Sequence, residues 1–282
     1  MIPALRSLST PGGVLTWREA GSGPALVLLH GIGSGAASFE GQFDGLADSH
    51  RVIAWDAPGY GESAPLAIDR PLAADYAAAL DTLLRHLQVR ELVLLGHSLG
   101  ALVAAAWAAR PAAAGATPAP TLRALLLAHP ARGYGSEPAA VQAARWQERV
   151  ELMENLGAEG LAAARSANLC APGAAPAALE AVRRNMARVT PRGYGQAAHL
   201  LAHDALLPYL RQAQVPTAVC SGEHDRITPP AACRALADAV NAPFTLLHGV
   251  GHASYVEDAR QFNALLRACL ARLQVTTDRE TS

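Results

Sequence analysis

Three polar residues of this chain stand where apolar runs end, and together they could cut an acyl bond. Ser98 lies in Gly96-His97-Ser98-Leu99-Gly100, directly after the apolar run 92–95. Asp225 lies in "SGEHDRITPP" and His252 in "GVGHASYVED", each in a loop past a further apolar run. A serine hydroxyl is a weak nucleophile until a neighbouring imidazole takes its proton, and a carboxylate holds that imidazole in the useful tautomer. A serine flanked by glycines two residues away on either side, where a strand pattern becomes a helix pattern, is the G-x-S-x-G context of an exposed nucleophile. The glycines admit close backbone approach, and the helix start offers N–H groups to developing negative charge. The same five residues also fit a plain glycine turn with an N-capping serine. The order Ser…Asp…His, with all three at strand ends, favours the nucleophile.

Other polar residues compete for roles. Glu223 and Asp204 are rival acids for His252. "HGIGSG" at 30–35 follows a strand pattern and has two readings. Gly31, Gly33 and Ala36 match a loose dinucleotide fingerprint, with Asp56 as the ribose-binding acid. The alternative is a loop whose backbone N–H faces the serine and stabilises an oxyanion. His97 and His30 are read as bonding local backbone, and Asp56 as fixing the loop after its strand. His199 and His203 are four apart on a helix pattern, but Leu200 stands where a zinc protease carries its glutamate, so no metal is expected. Trp146 and Tyr194, large and amphipathic, are candidates for lining a substrate pocket. Arg145, Arg149, Arg183, Arg184 and Arg188 are read as solvated helix faces, any one of which could anchor a substrate carboxylate.

The elements that must position these groups alternate along the chain. Strand patterns run over 14–18, 25–30, 51–56, 91–96, 124–128, 216–221 and 244–247; helix patterns run over 37–47, 71–88, 99–110, 230–240 and 259–273. Near-continuous apolar strands alternating with helices predict an α/β fold with a mostly parallel sheet covered on both faces. The first two strand patterns look like an antiparallel hairpin at the start of the sheet. Between 129 and 207 the alternation breaks into helix patterns alone. The expected organisation is therefore a core of 1–128 and 208–282 with a helical cap, or lid, at 129–207. Arg-Gly-Tyr-Gly at 132–135 and 192–195 reads as two glycine turns flanking helices.

Composition removes whole classes of chemistry. The chain has 282 residues, is 51% hydrophobic and 17% charged, and carries a net charge of −1, which gives no reason to expect a nucleic-acid partner or an acidic membrane. All 23 basic residues are arginine, so a Schiff-base lysine and a P-loop lysine are excluded. Cys170, Cys220, Cys233 and Cys269 form no C-x-x-C pair. No run has the length of a membrane span or a signal peptide, and a cytoplasmic protein is the expectation.

With "LLHGIGS", "WDAPGYGES", "GHSLG", "SGEHDRITP" and "GVGHASYVED" in view, the chain resembles the α/β-hydrolase superfamily from about residue 13 to residue 273. The resemblance implies Ser98 as nucleophile, Asp225 as acid and His252 as base, with the backbone N–H groups of Ile32 and Leu99 as the oxyanion hole. Its tone is that of 3-oxoadipate enol-lactonase-like esterases with a helical cap. Ala253 stands where hydrolases of meta-cleavage products commonly carry tryptophan. Ser98 excludes the aspartate-nucleophile chemistry of haloalkane dehalogenases and epoxide hydrolases, and 32–34 lacks the oxyanion loop of proline iminopeptidases. The implied activity is cofactor-free hydrolysis of a small-molecule ester or lactone. A carbon–carbon bond hydrolase for a diketone or dienoate, and an NAD-binding oxidoreductase built on "HGIGSGA", stand as alternatives. A homodimer is left open.

Overall fold

Alternation inside the apolar strands decides how the layers form. Leu26, Leu28, Val52 and Ala54 pack into one buried cluster, whereas Val27, Leu29, Ile53 and Trp55 pack into another on the opposite face. Side chains of a strand point alternately to its two faces, so strands apolar at every position need cover on both. The computed structural model describes residues 1–111 and 119–280. Its strands are β1 (Leu5–Thr10), β2 (Gly13–Ala20), β3 (Ala25–Leu29), β4 (Arg51–Asp56), β5 (Glu91–His97), β6 (Thr121–Ala128), β7 (Thr217–Gly222) and β8 (Phe244–Leu247). They form one eight-stranded sheet in the order β1-β2-β4-β3-β5-β6-β7-β8. All neighbours from β4 to β8 are parallel, while β1 and β2 run antiparallel at one edge.

The helices are α1 (Glu40–Leu46), α2 (Ala73–His86), α3 (Leu99–Ala109), α4 (Ala139–Arg165), α5 (Pro176–Met186), α6 (Pro191–His203), α7 (Leu206–Gln212), α8 (Pro230–Ala239), α9 (Ser254–Glu257) and α10 (Ala259–Glu280). Phe43 of α1 and Phe262 and Leu266 of α10 cover one face of the sheet. Leu80 of α2, Leu102 of α3 and Leu236 of α8 cover the other. Each fully buried leucine or phenylalanine contributes about 1.5–3 kcal/mol of transfer free energy. No helix among the described residues is long and apolar enough to cross a membrane.

Three sequence expectations change here. The hairpin is β1–β2, not β2–β3; β2 lies between β1 and β4, and β3 is flanked by β4 and β5. Being buried at all five positions, β3 belongs in the sheet interior, whereas β1 ("LRSLST") is half exposed and too polar to read as a strand. His129, placed by sequence at the start of the insertion, remains at the sheet edge, its N–H bonded to Cys220 O at 2.8 Å. Arg-Gly-Tyr-Gly at 192–195 is not a turn but part of α6. Gly193 is needed there because a Cβ would stand 2.0 Å from Gly59 O, so this helix rests directly on the loop after β4.

Candidate active site

The turn from β5 into α3 holds Ser98 at φ +53 and ψ −117, a conformation that costs a non-glycine residue of order 1–3 kcal/mol. The neighbouring glycines make the turn possible. A Cβ on Gly96 would lie 2.6 Å from Ala101 Cα, and one on Gly100 would lie 2.4 Å from Leu29 O. Ser98 N–H bonds Ala128 O of β6 at 3.0 Å, and Ser98 O receives Ala131 N–H at 3.1 Å. The serine is thus pinned through its backbone while its hydroxyl faces a cavity. Leu99 opens α3, where helical pairing leaves the first N–H groups free. Ile32 lines the same cavity from the loop after β3. Gly31 brings that loop against the serine: a Cβ there would stand 2.8 Å from Ser98 Cβ.

Asp225 lies past β7 and His252 past β8. His252 Nδ1 donates to Asp225 Oδ2 at 2.9 Å, and Asp225 Oδ1 accepts from the N–H groups of Ile227 (2.8 Å) and Thr228 (2.9 Å). Burial pushes the Asp225 carboxyl upward. The positive field available from His252 and the hydrogen bonds of His129 and His252 outweigh it, holding the group well below the usual carboxylate range. Neither rival acid reaches His252. Glu223 is exposed and accepts from Gly249 N–H at 3.0 Å. Asp204 accepts from Ala73 N–H at 2.8 Å, at the start of α2, and from Tyr209 OH at 3.2 Å.

Ser98, His252 and Ile32 share the wall of a cavity of about 220 Å³. No hydrogen bond joins Ser98 Oγ to His252; such contacts are commonly long until substrate is bound. Tyr194, Leu161, Leu201 and Met186 line the cavity from the helices between β6 and β7, as do Arg149 and Arg165, with Arg132 and Glu137 from the loop after β6. Trp146 is not part of this lining. Its ring meets His199 edge-on at 5.3 Å, with Arg70 5.2 Å above it. A larger, mostly apolar cavity of about 470 Å³ opens beside Pro216 and Pro243, where β7 and β8 begin, at the opposite end of the sheet from Ser98.

The other histidines singled out in the sequence are engaged. His30 Nδ1 donates to Gly31 O at 2.9 Å while its Nε2 accepts from Ala57 N–H at 3.0 Å, which fixes the tautomer. Contrary to expectation, His97 does not bond its sequence neighbours; its Nε2 donates to His252 O at 2.8 Å and supports that loop from behind. His203 Nδ1 bonds His199 O at 3.0 Å, and His199 Nδ1 bonds Pro71 O at 3.2 Å. Asp56 accepts from Ala36 N–H at 2.8 Å and Thr16 Oγ1 at 3.1 Å, so its oxygens tie the segment after β3 to strand β2 rather than facing a nucleotide site.

Sequence reasoning missed His129, Thr228 and Ser254 as parts of this cluster. His129 Nδ1 lies 2.8 Å from Asp225 Oδ2, Thr228 Oγ1 donates to the same oxygen at 2.7 Å, and His129 Nε2 meets Ser254 Oγ at 2.6 Å. His129, Asp225 and His252 bring ligand-type atoms within 4.8 Å of one another. Each imidazole Nδ1 nevertheless sits at hydrogen-bond distance from the carboxylate with a proton to give, and the group is satisfied as a hydrogen-bonded cluster. The available signal was positional: His129 ends an apolar run, as Ser98 nearly does.

A model described as the alpha/beta hydrolase family matches residues 26–265. The chain is 25% identical over 256 residues to 3-oxoadipate enol-lactonase 2 of Acinetobacter baylyi, covering 88% of this chain and 89% of that one. It is 42% identical over 91 residues to a 2-(acetamidomethylene)succinate hydrolase of Mesorhizobium japonicum, covering 31% of each. Among solved structures, a malate-bound esterase from Thermogutta terrifontis superposes with a TM-score of 0.83 at 24% identity, over 96% of this chain and 99% of that one. The enol-lactonase from Burkholderia xenovorans superposes with a TM-score of 0.80 at 24% identity, over 94% and 100%.

Proposed function

Because this chain belongs to the alpha/beta hydrolase family, we propose that it is a serine hydrolase cleaving a small carboxylic ester or enol-lactone through an acyl-enzyme on Ser98. The observation that carries this reading is that Ser98 and His252 face one cavity, with Asp225 Oδ2 2.9 Å behind His252 Nδ1. Ser98 Oγ attacks the substrate carbonyl carbon as its proton passes to His252 Nε2, and Asp225 stabilises the imidazolium so formed. The N–H groups of Ile32 and Leu99 receive the oxyanion. Collapse breaks the acyl C–O bond, and His252 returns its proton to the leaving oxygen. Water, activated by His252, then adds to the acyl-enzyme and releases the acid. Helices α4 to α6 act as the lid that shapes the pocket and excludes water.

The cavity adds a charge preference. It is lined by three guanidinium groups, of Arg132, Arg149 and Arg165, against the single carboxylate of Glu137 besides the Asp225 behind His252. Among the described residues no acid pairs with any of the three. We read them as anchors for a carboxylate on the substrate, and relatives named for 3-oxoadipate and an acetamidomethylene succinate support that reading. A fluorophosphonate should label the wild type and not Ser98→Ala, whose turnover should fall by roughly 10³-fold or more. A monoester of a dicarboxylic acid should be preferred over its neutral isostere by roughly tenfold or more, a gap that Arg165→Ala narrows. Labelling of Ser98→Ala at the wild-type rate would sink the reading.

A further inference from the structure

Two imidazoles, not one, approach the acid of the cluster. His129 directly follows β6, with φ +51, and is wholly buried. Its tautomer follows from its partners. A carboxylate oxygen cannot donate, so Nδ1 carries the proton toward Asp225 Oδ2 at 2.8 Å, and Nε2 accepts the Ser254 hydroxyl at 2.6 Å. Gly222 N–H also comes within 3.3 Å of Nδ1, but a nitrogen that is donating has no lone pair to offer it. Ser254 stands two residues beyond His252, at the start of α9. The ring of His129 therefore links the loop that carries the acid to the loop that carries the base. Its carbonyl lies 3.1 Å from Thr228 Oγ1, whose one proton goes to the closer Asp225 Oδ2 at 2.7 Å.

We propose that His129 is a positioning residue for the acid–base pair: it shares Asp225 Oδ2 with His252 and, through Ser254, fixes the loop on which His252 sits. A carboxylate oxygen that already accepts one imidazole N–H holds a second less strongly. Removing the His129 N–H would leave that oxygen to His252 and Thr228 alone, so the carboxylate should hold the His252 N–H more tightly in such a variant. The orientation of the Asp225 carboxyl is set at the same time, because Oδ2 is met by His129, Thr228 and His252, and Oδ1 by the backbone of Ile227 and Thr228.

The titratable groups that face this cluster come from four elements. His97 of β5 lies 4.9 Å from the His252 ring and 5.4 Å from that of His129, and burial drives its pKa well down. Burial lowers that of His129 as well, so both rings stay neutral. Cys220 of β7 and Cys233 of α8 are thiols whose pKa burial raises, the latter to about 11. Tyr255 and Glu257 belong to α9; burial raises both, and Glu257 accepts from the N–H groups of Ala171 and Gly251. Asp225 is the only anion in hydrogen-bond contact with either ring among the described residues.

The experiment compares two amides at position 129, with ¹⁵N-histidine NMR and pH–rate profiles as readouts. His129→Asn places an amide near the Nδ1 position and keeps a donor for Asp225, and asparagine tolerates the positive φ. His129→Gln reaches toward the Nε2 position and leaves Oδ2 to His252 alone. The titration midpoint of His252 should rise by about one pH unit in His129→Gln, and by much less in His129→Asn. The acid limb of kcat/KM should move with it, giving about tenfold lower rates well below the midpoint. Thermal stability measured alongside separates a misfolded variant from a shifted one. An unmoved midpoint in folded His129→Gln, or equal shifts in the two variants, overturns the proposal, as does inactivation by EDTA that zinc reverses. The proposal rests on the hydrolase reading for its catalytic consequence, but the NMR midpoint is read without substrate. A moved midpoint in a protein that hydrolyses no ester would therefore sustain the role of His129 while defeating the proposed activity.

Discussion

At the strand ends, every group of the cluster is held by another strand's loop or backbone. Ser98 hangs from Ala128 O, His252 from His97 and Asp225, and Asp225 from His129, Thr228 and two backbone N–H groups. Across the cavity, α4 and α5 present side chains from helices whose outward faces carry exposed ion pairs such as Arg145–Glu148 and Arg183–Glu180. Pairs of that kind contribute little to stability. Two segments tie this side to the core: α6, through Gly193 on Gly59 and through Gln196, whose amide donates to the carbonyls of Leu66 (2.8 Å) and Ile68 (2.7 Å), and the stretch between α4 and α5, where Leu169 O accepts from Ala253 N–H at 2.8 Å. One wall is fixed by backbone register, to which single substitutions at its rim do little. The other is built of replaceable side chains on an anchored helix. On the proposed reading, chemistry would belong to the first wall and choice of substrate to the second.

The largest effect should come from breaking the first wall at its acid. Asp225→Asn keeps the shape of the side chain but can present an amide N–H to His252, favouring the wrong tautomer. Turnover should drop by up to roughly 10⁴-fold with substrate binding retained. Glu223→Gln and Asp204→Asn should stay within about tenfold of wild type. The carboxyl of Asp204 still matters for stability, because it caps the start of α2; its loss should cost about 1 kcal/mol. Steady-state kinetics on one ester across the three variants checks the comparison, and a crippled Glu223→Gln with a mild Asp225→Asn would break it.

A smaller effect, read as stability rather than rate, also separates the walls. His30, His97 and His129 are buried at or near the sheet edge, and in each burial lowers the pKa. In the unfolded chain these rings take up protons near pH 6.5, and in the folded chain they resist. The unfolded state thus binds more protons below that pH, and stability must fall as pH falls from about 6.5, by up to about 1.4 kcal/mol per pH unit for each ring. Below about pH 4 the depressed carboxyl of Asp225 adds loss of the same sign. Urea denaturation between pH 4.5 and 8 should show this slope, and His129→Asn should flatten it. His199, half on the other wall and less completely enclosed, should change it less when replaced by asparagine. A stability curve flat through pH 5 to 7 would mean that the three rings are not held neutral.

The two walls also differed in how far the sequence disclosed them. Ser98, Asp225 and His252 were legible because each ends a strand pattern with a glycine-marked loop, and a parallel sheet gathers such ends at one edge. His129 has the same placement and was passed over. Its contact with the cluster depends on a carboxylate, that of Asp225, arriving from 96 positions away, which no local pattern encodes. The order of β2, β4 and β3 was equally hidden, since pairing is set by burial demand across the whole sheet. In the insertion, periodicity gave the helices but not their rotation about their axes. The turn-like reading of 192–195 failed for a related reason: Gly193 serves a close helix approach, and local propensity reads every glycine as a turn.

Rotation of α4 governs the smallest expected change in activity. Trp146 and Tyr194 looked equivalent as pocket candidates, yet they occupy opposite sides of the insertion's packing. Tyr194 is 4% exposed and lines the Ser98 cavity, whereas Trp146 packs against His199 and His203 under Arg70, with its indole Nε1 buried and unpartnered. A tryptophan that bridges α4 to α6 without touching the cavity contributes to docking those helices on each other, and on the proposed reading not to selecting the acyl chain. Trp146→Ala should therefore lower stability by about 2 kcal/mol, less than for a fully buried ring because Trp146 is only half-buried. Its relative rates on p-nitrophenyl esters of increasing acyl length should match those of the wild type. Tyr194→Leu should do the reverse, shifting the preferred acyl length with little change in melting temperature. Should Trp146→Ala alter the chain-length profile while Tyr194→Leu leaves it alone, α4 must sit rotated from its place in this structure, and the wall that selects substrate would be a different face of the same helices.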